Sequence, residues 1–297
     1  MIAALRPARG DRFIDGTLGA GGHAVGLLEA AGPTTELLGI DRDPRALELA
    51  AESLRDFDER VHLRQGSYHR MAEMAAEIGW DKVDGILLDL GLSSMQLDDP
   101  SRGFAFRLEG PLDMRFGPSV TVTAGDLVNE LAEEALADLI AKYGEEPASR
   151  RVARAIVEAR PLRSTGELAQ VISRAIGRSG GRIHPATRTF QALRIAVNDE
   201  LAVLEEGLES ALELLNPGGR LAVIAFHSLE DRIVKNYLRQ ESKDCICPPE
   251  QPVCTCDHKA KVELIGPKPI MASDSEIERN RRARSARLRV AERLAAA

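Results

Sequence analysis

A glycine-rich turn between an apolar strand and a helix constrains the fold of this chain more than any other feature. The turn, Asp15–His23 (DGTLGAGGH), follows a strand predicted at Arg12–Asp15 and precedes a helix predicted at His23–Ala31. Glycine permits a positive φ and lets a ligand approach the backbone closely. The first turn of the following helix offers N–H groups and a partial positive charge. The pattern therefore predicts a ligand site at the first strand of an α/β sheet.

The strands after this turn alternate with helices along the chain. Further strands are predicted at Glu36–Asp41, Arg60–Arg64 and Val83–Asp89, with a helix at Arg45–Leu54. This alternation predicts a parallel sheet covered on both faces, which is a Rossmann-like α/β fold.

The alternation stops after residue 97, where a mostly helical stretch begins. Strand and helix signals then return at Arg220–Phe226, Glu230–Arg239, Lys261–Ile265 and Ala286–Ala291. We therefore expect a discontinuous α/β domain of residues 1–97 and 198–297, with an inserted helical substrate-recognition domain at 98–197.

Two cofactors suit the glycine turn. Gly19–Ala24 satisfies the G-x-G-x-x-[GA] pattern of NAD sites, and Asp41 at the end of the second strand would bind ribose hydroxyls in either case. Asp89 adds an acidic end to the fourth strand, which suits the amino groups of S-adenosylmethionine better than hydride transfer. We therefore predict an S-adenosylmethionine-dependent methyltransferase. The rivals are an NAD-dependent oxidoreductase and a non-catalytic RNA-binding factor that retains the fold.

Positive charge is concentrated in two stretches of a chain whose net charge is −7. Residues 147–194 carry ten arginines, no lysine and two glutamates, and residues 276–293 carry seven arginines and three glutamates. Two basic patches on an acidic background favour a polyanion bound in one orientation. The alternative is that these arginines lie on solvated helix faces.

The four cysteines of the chain all fall within Cys245–Cys256, as two C-x-C pairs. Four thiolates would bind zinc tetrahedrally, with His258 as a candidate substitute ligand. Disulfides and unliganded surface thiols remain open. Met1–Arg12 has no hydrophobic signal core and no apolar run would span a bilayer, so we expect a cytoplasmic protein.

Long motifs of the chain resemble the RsmH (MraW) family, bacterial methyltransferases of a cytosine N4 in 16S ribosomal RNA. They extend in order over nearly the whole chain, and HPATRTFQALRIAVNDE and FHSLEDRIVK are the most distinctive. The matching stretches are Asp15–Ala24, Gly39–Leu47, Asp84–Phe106, Gly110–Phe116, Tyr143–Glu146, His184–Glu200, Pro217–Leu221, Phe226–Lys235 and Ala283–Arg293.

The resemblance implies S-adenosyl-L-methionine as cofactor, and a substrate in the decoding region of 16S rRNA within the small ribosomal subunit. No membrane or protein partner is inferred. The cofactor contacts that it implies are Gly21, Gly22, His23, Asp41, Tyr68, Asp89 and Gln96. Tyr68 would form an apolar wall for the adenine, although an aromatic packed at a strand end is the alternative.

The substrate amine needs hydrogen-bond acceptors, and Asp89 is the first candidate. His227 is a second candidate catalytic residue, or else a structural histidine that bonds a loop. His184, Arg188 and Arg194 are the candidate RNA contacts, and a turn cap is the alternative for His184. Phe104, Phe106 and Phe190 are candidate stacking platforms, or else core residues.

The chain departs from its relatives in two places. Many amino-methyltransferases carry D/N/S-P-P-Y/F after the fourth strand, whereas this chain has Asp89-Leu90-Gly91-Leu92. Family members generally begin with a segment resembling H-x-P-V, whereas this sequence begins Met1-Ile2-Ala3. We expect any contact from that segment to be missing.

Overall fold

The computed structural model describes residues 1–177, 184–248, 250–251 and 253–295. The described residues pack as two compact units. The first unit is Met1–Gly91 with Leu201–Ala297, and the second is Leu92–Glu200. The sequence placed the corresponding boundaries at 98 and 197. Among the described residues, no helix is both long and apolar enough to cross a membrane.

The helices and strands have the following bounds. The strands are β1 (Arg12–Asp15), β2 (Glu36–Asp41), β3 (Val61–Gln65), β4 (Val83–Asp89), β5 (Leu215–Ala225), β6 (Val262–Leu264), β7 (Ile270–Met271) and β8 (Arg287–Arg293). The helices are α1 (Ile2–Leu5), α2 (Gly22–Ala31), α3 (Pro44–Ser53), α4 (Met71–Glu77), α5 (Ser94–Asp98), α6 (Ala124–Glu130), α7 (Glu133–Gly144), α8 (Ser149–Glu158), α9 (Thr165–Ile176), α10 (Thr187–Asn198), α11 (Glu200–Leu214), α12 (Ser228–Glu241) and α13 (Asp274–Arg279).

The described strands form one sheet with the order β3-β2-β1-β4-β5-β8-β6, and β7 pairs with β8. Neighbours from β3 to β5 are parallel, whereas β8 is antiparallel to β5, β6 and β7. The order 3-2-1-4-5 of parallel strands is that of the Rossmann fold, so the predicted fold class is confirmed.

The predicted bounds of β1, β2 and β4 agree with the structure, and those of β3, β6 and β8 differ by one or two residues. Two strands differ more. β5 begins at Leu215 rather than at the predicted Arg220, because Leu215 pairs with Val83 before the register shifts. β7 was not predicted, because it is only two exposed residues long.

Alternating side chains of the central strands enter two cores on opposite faces of the sheet. Ile14, Leu38 and Ile86 lie in the core that includes residues of α4, α11 and α12. Their neighbours Phe13 and Leu87 lie in the core that includes residues of α1, α2 and α3. Because successive side chains of a strand point to opposite faces, a strand that is buried on both faces is apolar along its length.

The second unit has a separate core of residues from α6 to α10 and from the segment before α6. Asn198, at the end of α10, is 1% exposed. Its Nδ2 donates to the carbonyl oxygens of Met114 (2.7 Å) and Arg194 (2.9 Å), and its Oδ1 accepts from the amide of Phe116 (2.7 Å). Asn198 therefore holds the GPLDMRF segment against α10.

Candidate active site

Three strands of the first unit end in aspartates at the same edge of the sheet. β1 lies between β2 and β4, and all three are parallel. Their last residues are Asp15, Asp41 and Asp89. Because ligands of open α/β sheets bind beyond the carboxyl ends of the strands, this edge is the candidate site.

The glycine turn brings backbone close to this edge. Gly19 and Gly21 have φ of +53° and +82°, a region that favours glycine. A Cβ on Gly16 would lie 2.6 Å from Leu88 Cδ2 and 2.9 Å from Tyr68 Cβ, so a larger residue does not fit there. Gly21 is the N-cap of α2 and has no side chain to accept from the first helical amides. These amides are therefore available to an anionic group of a ligand.

Thr17 and Asp41 hold the turn in place. Thr17 Oγ1 accepts a hydrogen bond from the amide of Asp89 (2.6 Å), which ties the turn to the end of β4. Asp41 accepts from the amides of Gly19 (2.8 Å, Oδ2) and Asp43 (2.9 Å, Oδ1). A carboxylate has about four lone-pair sites, so this role does not exclude a ligand contact. Burial raises the pKa of Asp41, and the amides of Asp43 and Gly19 oppose that rise.

Two carboxylate oxygens at this edge are buried, and neither has a hydrogen-bond partner among the described residues. They are Oδ2 of Asp15 and Oδ1 of Asp89. Asp15 is only 1% exposed, and its other oxygen accepts from the amide of Thr17 (3.2 Å). Burial raises the pKa of Asp15 to about 7. A buried acceptor without a donor is costly, so these atoms mark a place for a ligand that carries donors or a positive charge.

His23 contacts one of the two aspartates. Its Nε2 lies 3.4 Å from Oδ2 of Asp89. The hydrogen bond to Asp89 raises the pKa of His23, and burial opposes that rise. The sequence named the His23 backbone as a cofactor contact, whereas the structure adds a side chain that orients Asp89.

Asp15 and Thr17 are site residues that the sequence did not assign. From the sequence we interpret Asp15 only as the end of β1 and the start of the turn, with no ligand contact. The available signal was an acidic residue that directly follows the apolar run Phe13-Ile14, at a strand end where burial is expected. Thr17 gave no comparable signal, because its contact with Asp89 joins residues far apart in the sequence.

Tyr68 lies after β3 and packs against a core of the sheet. Its ring lies against α11, where a Cβ on Gly207 would come within 2.4 Å of Cε2. The packing role is therefore visible, and the adenine contact stays a prediction.

His227 caps a helix. It is the N-cap of α12, and its Nδ1 accepts from the amide of Glu230 (3.4 Å). Oε2 of Glu230 accepts in return from the amides of Phe226 (2.8 Å) and His227 (3.2 Å). His227 Nε2 is 3.0 Å from Oε1 of Glu230 but is not in hydrogen-bonding geometry with it. This geometry corresponds to the structural alternative that the sequence left open.

Gln96 belongs to the second unit and is part of a capping box at the start of α5. Its Oε1 accepts from the amide of Ser93, and its amide donates to Ser93 Oγ, both at 3.2 Å. The structure thus assigns Gln96 a local role, and its cofactor contact stays a prediction.

The three candidate RNA contacts of the second unit differ in how accessible their side chains are to a bound RNA. Arg194 makes a bidentate ion pair with Glu200 at 2.8 and 2.9 Å, and both side chains are nearly buried. The expectation that Arg194 contacts RNA is therefore corrected, because its guanidinium is already neutralised inside the unit. Arg188 is half exposed, with one nitrogen 3.7 Å from Glu146. His184 is exposed.

Only one of the three candidate stacking platforms is accessible. Phe104 and Phe190 are buried in the core of the second unit. Phe106 is partly exposed, and its ring stacks on His184 with 4.4 Å between centroids and 17° between planes. Both rings line a groove that also contains Arg174.

Several arginines of the basic stretches have structural roles. Arg287 and Arg289 pair with Asp231 at 2.9 and 2.7 Å. Arg160 donates to two backbone carbonyls at 2.6–2.7 Å. Arg178 and Arg182 lie outside the described residues. The second stretch is therefore less available to a polyanion than its charge suggests.

The four cysteine thiols of the first unit lie together, with all their Sγ atoms within 4.8 Å of one another. His258 is not among them. Its Nε2 lies 3.2 Å from the carbonyl oxygen of Gln240, which corrects the expectation of a substitute ligand.

Comparison with known proteins identifies the family. The profile described as the MraW methylase family matches residues 1–294. Ribosomal RNA small subunit methyltransferase H of Dehalococcoides mccartyi is 55% identical over 293 residues, which are 99% of this chain and 84% of that protein. The proteins of the same name from Geobacter sulfurreducens and Thermomicrobium roseum are 53% and 51% identical. Each alignment covers 99% of this chain, and 96% and 91% of those proteins. The resemblance found in the sequence is thus confirmed, and the chain belongs to the MraW methylase family.

Proposed function

We propose that this methylase transfers the methyl group of S-adenosyl-L-methionine to the N4 amino group of a cytosine in the decoding region of 16S rRNA. The observation that carries the proposal is a pair of buried carboxylate oxygens, of Asp15 and Asp89, that have no hydrogen-bond partner in the described part of the chain and lie beside the uncapped start of α2. The relatives named as small subunit rRNA methyltransferases support the substrate class. The motifs shared with the RsmH family support the N4 position.

The polar groups of the site fit this donor. A cationic amino group suits the oxygens of Asp15 and Asp89 that have no partner among the described residues, and a carboxylate suits the amides of Gly22 and His23. The amide of Gly21 donates to the carbonyl oxygen of Leu18 (2.9 Å), so Gly21 serves the site through its backbone conformation. When bound, the donor supplies an electrophilic methyl group on a sulfonium sulfur. A pyrophosphate, as in NAD, would lie close to two carboxylates and be repelled, which favours the methyl donor over the oxidoreductase rival.

Two further contacts of the donor are proposed at the ends of β2 and β3. Asp41 would accept from ribose hydroxyls through the lone pairs that the turn amides leave open. Tyr68 would contact the adenine with the part of its ring that the core does not cover. Gln96 remains a further proposed contact of the donor.

Asp89 is the proposed acceptor for the cytosine amine. The lone pair of that amine is delocalised into the ring, so methyl transfer requires an acceptor that holds its N–H groups and the charge developing on nitrogen. Asp89 is fixed on two sides, by Thr17 at its amide and by His23 at Oδ2. We give the acceptor role to Asp89 rather than to His227, because Nδ1 of His227 accepts from the amide of Glu230 in the cap of α12.

The second unit is the proposed RNA-recognition domain. A base displaced from its stack would lie on Phe106 and His184, whose rings form a stacked pair of a partly exposed and an exposed side chain. Arg174 in the same groove and the half-exposed Arg188 would contact phosphates. The small ribosomal subunit is the proposed form of the substrate, no protein partner is inferred, and the reaction is placed in the cytoplasm.

The test is to incubate the protein with methyl-labelled S-adenosylmethionine and small ribosomal subunits that lack the modification. The rRNA is digested, and the labelled nucleoside is identified and mapped. We expect label as N4-methylcytidine in the decoding region. Absence of label from cytosine, with donor binding measured in the same preparation, would overturn the proposal.

The variant Phe106→Leu tests the RNA surface separately. Loss of one base-stacking contact costs about 1–3 kcal/mol, so KM for the subunit should rise about 5- to 150-fold while donor affinity stays unchanged. Arg194→Gln serves as the comparison variant, because it breaks an internal ion pair and should lower stability instead.

A further inference from the structure

The loop between α12 and β6 lacks a hydrophobic core. None of its described residues from 243 to 260 is buried, and Val253 is 69% exposed. Ordering a residue costs about 1–2 kcal/mol of conformational entropy, which apolar burial normally offsets. A loop of this length therefore needs another source of order.

The thiol groups of Cys245, Cys247, Cys254 and Cys256 meet at the centre of this loop. The Sγ–Sγ distances are 3.5 Å from Cys254 to Cys256 and 3.8 Å from Cys256 to Cys245. All four Sγ atoms lie within 4.8 Å of one another, and all four cysteines are free. A disulfide requires about 2.05 Å between sulfurs. In a tetrahedral zinc–thiolate centre with Zn–S of about 2.3 Å, the sulfurs are about 3.8 Å apart. The observed Sγ–Sγ distances match those of a tetrahedral zinc–thiolate centre.

Backbone amides support the same interpretation. The amide of Ile246 donates to Cys256 Sγ (3.4 Å), and the amide of Thr255 donates to Cys247 Sγ (3.5 Å). Each bond joins one C-x-C pair to the other. Donors directed at sulfur stabilise thiolates and fix their orientation around a metal.

The base of the loop is closed independently of the thiols. The amide of Lys261 donates to the carbonyl oxygen of Glu241 (2.7 Å), and the Lys261 ammonium lies 2.8 Å from the Glu241 carboxylate. The amide of Ala260 donates to Asp244 Oδ1 (3.3 Å). The two C-x-C pairs are thus presented to each other by a fixed base.

We propose that these four cysteines bind one zinc ion in a tetrathiolate site. Four protein ligands complete the tetrahedron, so the ion is structural and takes no part in methyl transfer. Each thiol loses its proton when the ion binds, so affinity falls at low pH. The metal fixes a loop that apolar packing does not hold.

Zinc content of the full chain, purified under reducing conditions without chelator, tests the proposal. We expect about one zinc per chain and X-ray absorption with four sulfur neighbours at about 2.3 Å. Cys247→Ser and Cys254→Ser should each lower the bound zinc severalfold. His258→Gln is the matched control and should keep the full zinc content, because its ring contacts only the Gln240 carbonyl among its described polar neighbours.

The absorption measurement uses the wild-type protein, so it decides the case even if a cysteine variant fails to fold. Less than about a tenth of an equivalent of zinc, together with four thiols that react freely after addition of zinc chloride, would overturn the proposal. Iron in place of zinc, a nitrogen ligand in the absorption spectrum, or zinc loss in His258→Gln would also overturn it.

Discussion

Replacing Asp15 with asparagine should flatten the pH dependence of stability in the first unit while weakening donor binding. Burial raises the pKa of Asp15 from 3.8 to about 7. The native state therefore holds this proton to a higher pH than the unfolded chain does. The resulting stability is fully present below pH 3.8 and is lost as the pH rises through about 7.

The magnitude follows from these two pKa values. Linkage gives a loss of about 2–3 kcal/mol between pH 5 and pH 8 from Asp15 alone. The pKa of His23 is also raised, so its contribution to the stability of the native state is likewise lost as the pH rises. Asp15→Asn has no proton to lose, so its stability relative to wild type should rise by about 2–3 kcal/mol over this range.

Urea unfolding followed by tryptophan fluorescence measures this effect in the first unit. Trp80 is the single tryptophan of the chain, is 3% exposed and lies in a core of that unit. Asp81→Asn is the matched control, because it removes the same charge at an exposed position. Parallel pH profiles of wild type and Asp15→Asn would refute the reasoning, as would unchanged donor affinity in the variant.

Three further variants test other parts of the structure. Gly22→Ala should leave the free energy of unfolding nearly unchanged, because a Cβ there meets nothing within 4 Å, and it should weaken donor binding. Equal donor affinity of the variant and the wild type in a binding titration would show that the donor does not approach this backbone. His227→Asn should keep the rate of methyl transfer within about threefold of wild type, because asparagine also caps helices. A hundredfold lower rate with an unchanged melting curve would instead assign His227 to catalysis. Asn198→Ala should destabilise the second unit by about 2–4 kcal/mol through three lost hydrogen bonds. Urea unfolding followed by circular dichroism should show this lower stability, while the urea midpoint of the Trp80 fluorescence transition should not move. A shift of both the circular dichroism and the fluorescence midpoints would contradict this expectation.

The sequence predicted the sheet well because its strands are buried on both faces. Apolar runs such as Val83–Asp89 are bounded by charged or turn residues, so their ends are visible. β7 escaped prediction because two exposed residues carry no periodic signal. The start of β5 escaped because its first pairing, Leu215 with Val83, lies on the far side of an Asn-Pro-Gly-Gly turn.

The candidate site was predicted less completely, because contacts between distant residues decide what a side chain can do. Asp41 and Asp89 were visible as acidic strand ends, but their hydrogen-bond partners were not. Arg194 lies in the most distinctive motif, and its ion pair with Glu200 became visible only in the structure. A motif marks where function is concentrated without separating residues that contact ligands from residues that hold the motif together.

Calorimetric titration of S-adenosylmethionine tests the central claim, that Asp15 and Asp89 form the site of a cationic donor. The titration is run at about pH 6 in two buffers of different ionisation enthalpy, so that proton release is measured with binding. Asp15, with a pKa of about 7, is mostly protonated in the free protein at this pH and should ionise when the donor's amino group binds. We expect one donor per chain with release of about nine-tenths of a proton, and no binding of NADH. Saturable binding of NADH, or donor binding without proton release, would contradict it.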